Sequence, residues 1–256
     1  PYNEEGIINN TFNSWEYYFH QTSNHFLEEV YKSKNVIFSK DHFSAEMKYR
    51  IHLEPKFKNF ISKEIKLKKK YIDFVDEYYE KNKLNNLNIL GIHFRGTSYK
   101  TSRGHIFPAT TNQMKYYVDK LLSENKFDKI FLCTEEKNYL NFFKENYLNK
   151  LLYIDSHRSD KNDAFKIYNR SNHRFLLGDE SIKETLILSK CSSLLFVRSN
   201  IINAANFFSN KEQYLFEIFN GFNSRNQFVA RFLWYIKKNL PKKFHGLKDE
   251  LIISKN

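Results

Sequence analysis

Apolar positions in the first 62 residues keep no regular period, whereas beyond them two periods alternate. The opening stretch is rich in aromatics, with Trp15, Tyr17, Tyr18 and Phe19, and predicts a helix over 23–31 and a short strand over 36–38. From 64 to 82 the residues Leu67, Tyr71, Phe74, Val75, Tyr78 and Tyr79 recur at helical spacing with lysines between them, which predicts one long amphipathic helix. Short apolar runs then alternate with helical stripes. Strands are predicted over 87–94, 129–134, 151–154, 193–197 and 213–219, and helices over 112–124, 137–147, 179–191 and 201–209, the third opened by Asp179 as an acidic cap. Parallel strands need crossover connections and helices supply them, so this order predicts an α/β fold with a parallel sheet flanked by helices. The reading divides the chain into a smaller aromatic-rich N-terminal lobe (1–84), a Rossmann-like lobe (85–230) and a helical C-terminal tail (231–256).

Such sheets bind ligands at the carboxyl ends of their strands. The segments standing there are 93–97, 134–136, 155–158 and 198–200, and all four are polar. Leu90-Gly-Ile-His-Phe-Arg-Gly-Thr-Ser98 is the most informative of them. Strand alternation puts His93 and Arg95 on one face, and Gly96 lets the backbone come close to whatever the arginine holds. Arginine suits a diphosphate because its planar fork donates two parallel charged hydrogen bonds and stays protonated. Gly96 and Thr97 are expected to add backbone and hydroxyl donors to the same oxygens.

Charge agrees with an anionic ligand without choosing one. Lys and Arg number 41 against 29 Asp and Glu, a balance of +12 that suits a nucleotide, a polyanionic glycan, nucleic acid or an acidic membrane face. Apolar residues at 41% and aromatics at 17% predict an ordered core rather than a disordered tail. Cys133 and Cys191 each stand in an apolar stretch and read as small buried thiols. With no apolar run of transmembrane length and no leader carrying a cleavage pattern, the expectation is a cytoplasmic protein, able to touch an anionic inner membrane at its periphery.

His93-x-Arg95-Gly96-Thr97 resembles the His-x-Arg-x-Gly/Thr-Asp signature of the fold shared by α1,2-, α1,6- and protein O-fucosyltransferases. Two later segments are similar in order and spacing: Lys129-Ile-Phe-Leu-Cys-Thr-Glu-Glu136 to the strand ending in Ala-Thr-Asp-Asp, and Gly178 through Asn200 to the donor-site helix, strand and Ser-rich turn. Trp-Glu-Tyr-Tyr-Phe19 also resembles a segment of bacterial members. The match covers roughly residues 86–206; Ser98 stands where the family usually has Asp, and Glu135 where it often has Asp.

The resemblance implies a GT-B-like glycosyltransferase that takes a GDP-sugar, with fucose the family default, and moves the sugar to a glycan or lipid-linked glycan by an inverting, metal-independent route. No cofactor beyond the donor is expected, and no nucleic acid. Arg95 would hold the diphosphate, with Thr134 and Glu135 near the nucleoside and Asp155, Ser156, Arg158, Ser199 and Asn200 near the ribose or phosphates. For the proton of the acceptor hydroxyl the candidates are His105, in Arg103-Gly-His-Ile-Phe-Pro108, then Glu135, with His93 third. Residue usage rich in Lys, Asn, Ile and Phe suggests a bacterial source, hence capsule or lipopolysaccharide synthesis. Asp-x-Asp, Gly-x-x-x-x-Gly-Lys-Ser/Thr, Gly-x-Gly-x-x-Gly, Gly-x-Ser-x-Gly and His-Glu-x-x-His are all absent from the sequence. Two other readings stay open: a nucleic-acid or polyanion-binding module using Lys70-Tyr71 and Tyr235-Ile-Lys-Lys238, and a non-catalytic scaffold whose donor site is degenerate at Ser98.

Overall fold

The computed structural model describes residues 7–8, 10–35, 62–124, 126–161, 163–164 and 170–255; the strand expected over 36–38 lies outside them. Asn13 caps a 3-10 turn, Ser14–Tyr17, by accepting from the Trp15 backbone N–H. Helix α1 is Leu27–Lys32 rather than 23–31. Ser23 Oγ accepts instead from the His25 N–H at 3.3 Å, a local turn that competes with helix. Helix α2, Lys69–Lys81, is shorter than the predicted 64–82. Chain pairing takes its first turn away: Phe19 bridges Leu67, the His20 N–H donates to Lys66 O at 2.8 Å, and the Lys68 N–H donates to Tyr18 O at 3.0 Å.

The alternation beyond α2 is as expected: β1 (Ile89–His93), α3 (Thr111–Glu124), β2 (Lys129–Cys133), α4 (Lys137–Tyr147), β3 (Leu151–Leu152), α5 (His173–Lys190), β4 (Ser193–Phe196), α6 (Asn200–Phe208), β5 (Tyr214–Phe219), α7 (Gln227–Lys237) and β6 (Glu250–Lys255). The sheet order is β3-β2-β1-β4-β5-β6, parallel throughout except for β5 against β6. Two elements correct the sequence reading. The tail expected to be helical over 231–256 ends in an antiparallel edge strand, and α5 starts six residues before Asp179.

Asp179 is therefore no cap. It lies buried within α5 and accepts from Tyr71 Oη at 2.8 Å, with Lys183 Nζ at 2.6 Å and Lys70 Nζ at 3.4 Å. Gly178 stands inside the same helix, where glycine costs stability relative to alanine. In the fold it is the point of closest approach, because a Cβ there would stand 2.1 Å from Tyr18 Oη. That hydroxyl donates to Phe175 O at 3.0 Å, and the Tyr18 ring stacks on Phe175, so the N-terminal segment is fastened to α5.

Strand alternation sorts β1 between two cores. Leu90, Ile92 and Phe94 face the cluster built with α3 and α4, while Ile89 faces the one built with α2, α5 and α6. On α2 the buried residues Tyr71, Val75 and Tyr79 recur at i, i+4 and i+8, so this helix packs on the sheet, although the sequence assigned it to the first lobe. Each such buried side chain contributes about 1.5–3 kcal/mol. The alternation leaves His93 on the α5 side. No helix among the described residues is long and apolar enough to cross a membrane.

Candidate functional site

A cleft of about 290 Å³ opens at the carboxyl ends of β1, β2 and β3 and is bounded by one face of α5. β1 supplies its floor and its cation. His93 is buried, with Nδ1 3.0 Å from Oγ of Ser199, the residue that caps α6 by accepting from the Ile202 N–H. Burial, aided by the charge of Arg95, pushes the His93 imidazole down to about 3, so it is neutral near pH 7. Arg95, two residues on, lines the same cleft as alternation predicted. Its guanidinium lies over the Tyr99 ring at 4.7 Å, and its Nε is 3.9 Å from Glu135 Oε1, too long for a hydrogen bond. That Nε is buried without a hydrogen-bond partner among the described residues.

The turn after Arg95 departs from expectation. Gly96 and Thr97 do not present their donors to the cleft. The Gly96 N–H and Thr97 Oγ1 both donate to Glu135 Oε1 at 3.0 Å, and the Thr97 N–H donates to Glu136 Oε1. Lys100 Nζ closes the same carboxylate at 2.6 and 2.9 Å. A Cβ on Gly96 would stand 2.0 Å from Glu136 Oε1, so glycine is required by this carboxylate rather than by a ligand. Thr134 fixes the arrangement from below, donating to Phe94 O at 2.7 Å. The end of β2 is thus a scaffold for the loop that carries Arg95.

The loop after β3 and α5 form the opposite wall. Ser156 lines the cleft and donates to Glu184 Oε1 at 2.8 Å. Arg158 is not among the residues lining the cleft: its side chain is only 6% exposed, pairs with Glu184 at 3.3 Å and donates to the carbonyls of Ser156 and Ile154 at 2.9 and 3.0 Å. It ties this loop to α5. Asp155 and Asn200 are exposed and lie outside the lining, as does His105, whose ring packs on Tyr99 with centroids 5.0 Å apart. The structure therefore brings His93, Arg95, Thr97, Thr134, Glu135 and Ser156 to one cleft, puts Gly96, Arg158 and Ser199 beneath it, and leaves Asp155, Asn200 and His105 outside.

Several lining residues escaped sequence reasoning. Glu180 and Glu184 sit one turn apart on α5, and Arg170 grips Glu180 through both nitrogens at 2.5 and 3.0 Å. The His157 N–H donates to Glu180 Oε2 at 3.0 Å. Burial, then the neighbouring His173 and Arg170, hold the His157 imidazole below its ordinary range. The legible signal was an i, i+4 pair of acids inside an apolar helix, a spacing that places both on one face. Among the described residues no group of three His, Cys, Asp or Glu side chains is disposed to hold a metal ion.

Burial pushes the Glu184 carboxyl up to about 7, against the pull of Arg158 and of hydrogen bonds from Ser156 and Cys133. Two buried groups therefore oppose each other on acidification. Unfolded His93 takes up a proton near pH 6.5 that the folded state refuses, which lowers stability as pH falls. Folded Glu184 holds a proton that the unfolded chain releases above about 4.5, which raises stability as pH falls from 7. The Glu184→Gln variant removes only the second effect, so its melting temperature drops more steeply than that of the wild type between pH 6.5 and 5. Parallel curves would show that Glu184 titrates as in the unfolded chain.

No protein-family model matches the chain, and no curated protein matches it. Solved structures do. Over 64% of this chain and 49% of the other, the fold is similar to fucosyltransferase NodZ from Bradyrhizobium, with 14% identity and a TM-score of 0.46. The corresponding figures for NodZ alpha-1,6-fucosyltransferase co-crystallised with GDP are 64%, 49%, 13% and 0.45. For POFUT1 in complex with GDP-fucose they are 60%, 45%, 10% and 0.36. The chain spans about half the length of the structures it matches.

Proposed function

We propose that this chain is a GDP-sugar-dependent glycosyltransferase that moves fucose, or a related sugar, to a glycan or lipid-linked glycan acceptor, with inversion and without a metal. Its setting is the synthesis of a bacterial surface polysaccharide. The observation that carries the reading is the place of Arg95. It follows the central strand β1, beside the point between β1 and β4 where the strand order reverses, and its Nε has no hydrogen-bond partner among the described residues. The sequence string around it resembles the pyrophosphate-binding signature, and the geometry leaves the guanidinium beside a cleft instead of consuming it in a bidentate ion pair.

The cleft is two-ended. Arg95 offers positive charge at one wall, while Ser156, Glu180 and Glu184 offer hydroxyl and carboxylate oxygens at the other. A nucleoside diphosphate has the matching chemistry, an anionic diphosphate at one end and N–H and O–H donors at the other. The volume of about 290 Å³ lies at the lower edge of the roughly 300–1,000 Å³ usual for such sites. As the bond from sugar to phosphate breaks, charge grows on the diphosphate, and Arg95 stabilises it most in the transition state. Neutral His93, held by Ser199, forms an uncharged floor under the reacting centre.

The proton of the acceptor hydroxyl goes to Glu135. Of the three acceptors expected, Glu135 alone is both in the cleft and partly exposed: His93 is buried and poorly basic, and His105 stands outside. Glutamine at this position keeps an oxygen for the Gly96 and Thr97 donors and loses only basicity. Glu135→Gln is therefore expected to keep GDP binding and to lose turnover about 10²-fold, while His105→Ala stays near the wild type. The reverse order would move the base to His105. The reading as a whole is tested by incubating the chain with a panel of GDP-sugars and following released GDP, alongside its melting temperature with added GDP. Stabilisation by an oligonucleotide and none by GDP would favour the polyanion-binding alternative.

A further inference from the structure

Helix α7 is turned inside out. Its buried residues are Ala230 and Trp234; Trp234 packs with Phe107 and Leu247, and its Nε1–H donates to Pro108 O at 3.1 Å. The opposite face carries Phe228, Phe232, Tyr235 and Ile236 at i, i+4, i+7 and i+8, the spacing of a single stripe. These side chains are 75%, 64%, 44% and 56% exposed. Arg231 and Lys238 flank the stripe on one side, at the 100° per residue of an α-helix, and Val229, 47% exposed, continues it on the other. Just beyond the helix, Leu240 and Phe244 are exposed as well, beside Lys242 and Lys243.

Charge says what covers this face. Between Glu217 and Asp249 there is no acidic residue, whereas Arg225, Arg231, Lys237, Lys238, Lys242, Lys243 and Lys248 are all basic. A second copy of the chain would bring the same positive charge against this one. A stripe of exposed apolar residues edged by Arg231 and Lys238, with Lys243 and the Glu250-paired Lys242 just beyond, instead matches the interface of an anionic bilayer, where rings enter the acyl boundary and cations meet the headgroups. We infer that the outer face of α7, with the turn through Phe244, docks on an anionic lipid surface.

The location gives this contact a use. The buried side of α7 rests on the 3-10 turn Thr97–Lys100, with Lys100 Nζ 5.5 Å from the Trp234 ring centroid, so the docking helix lies against the turn that follows Arg95. A chain seated this way works beside the membrane surface, where a lipid-borne substrate is concentrated. The docking itself requires no turnover and stands apart from the glycosyltransferase reading.

Sedimentation of the full chain with vesicles tests it. The chain pellets with phosphatidylcholine vesicles carrying phosphatidylglycerol, stays in solution with phosphatidylcholine alone, and is released as salt rises. Phe228→Ser combined with Phe232→Ser weakens partitioning about tenfold or more, and Arg231→Gln or Lys238→Gln each weakens it about fivefold. Since these positions are exposed, the variants keep the wild-type melting temperature. Equal pelleting on neutral vesicles, wild-type partitioning by the double Phe variant, or a dimer in solution that this variant dissolves would each overturn the inference.

Discussion

Arg95→Ala abolishes the rise in melting temperature that GDP produces and lowers turnover of the GDP-sugar by about 10³-fold. The magnitude is that of removing one preorganised donor from a site where charge develops, about 10²–10³ in turnover. The wild type at GDP concentrations about a hundredfold above Kd gains roughly 2.7 kcal/mol, which for a chain of this size is several degrees. Free Arg95→Ala should melt close to the wild type, because among the described residues the one carboxylate paired with its Nε is 3.9 Å away and about 29% of the Arg95 side chain is exposed. The result therefore separates a ligand-binding arginine from a structural one. If the free variant melts far below the wild type while GDP still stabilises it, Arg95 serves the fold and the proposed function falls with it.

Glu136→Ala costs about 3 kcal/mol, the lower end of what removing one partner of a buried ion pair costs. Glu136 and Lys100 are 4% and 15% exposed as side chains, and their 2.6 Å contact is the only ion pair either makes among the described residues. The same carboxylate also accepts the Thr97 N–H, so its loss strands a backbone donor as well. A drop of roughly 6–12 °C in melting temperature is expected for a chain of this length. Adding Lys100→Met to Glu136→Ala should recover part of the loss, since no unpaired charge then remains. A single variant within a degree of the wild type would mean that water reaches Lys100 and the pair is not buried in solution. The two experiments divide the turn after β1 into its parts: one residue left for a ligand, and a set of bonds that hold it there.

That division was half legible beforehand. Alternation of short apolar runs with helical stripes identified β1, β2, β4, β5, α3, α4 and α6 to within a few residues, because burial imposes a period of about two on strands and 3.6 on helices whatever the final fold. The same logic put His93 and Arg95 on one face. Where the reading failed, the signal had a non-local cause. Asp179 looked like a helix cap because an acid before an apolar stripe is one, yet the helix begins at His173, and Gly178 within it admits a tyrosine hydroxyl from 160 residues earlier in the chain. Leu67 kept helical period but pairs with Phe19 across a gap in sequence.

Residue chemistry in the strings around His93, Arg95, Thr134 and Ser199 was determined by the sequence alone: which groups carry charge, which accept, and that they follow strand ends. What only the tertiary structure decided is which of these groups remain available. Gly96 and Thr97 are spent on Glu135 and Glu136 and Arg158 on Glu184, through contacts between elements 26 to 39 residues apart in the chain, and Arg170 is spent on Glu180 ten residues on. The physical reason is that a hydrogen bond or ion pair consumes a donor by distance in space, and spacing along the chain does not record it. The outward stripe of α7 is the same lesson for apolar residues, since its period is that of a core helix and only packing on Ala230 and Trp234 shows which side faces out.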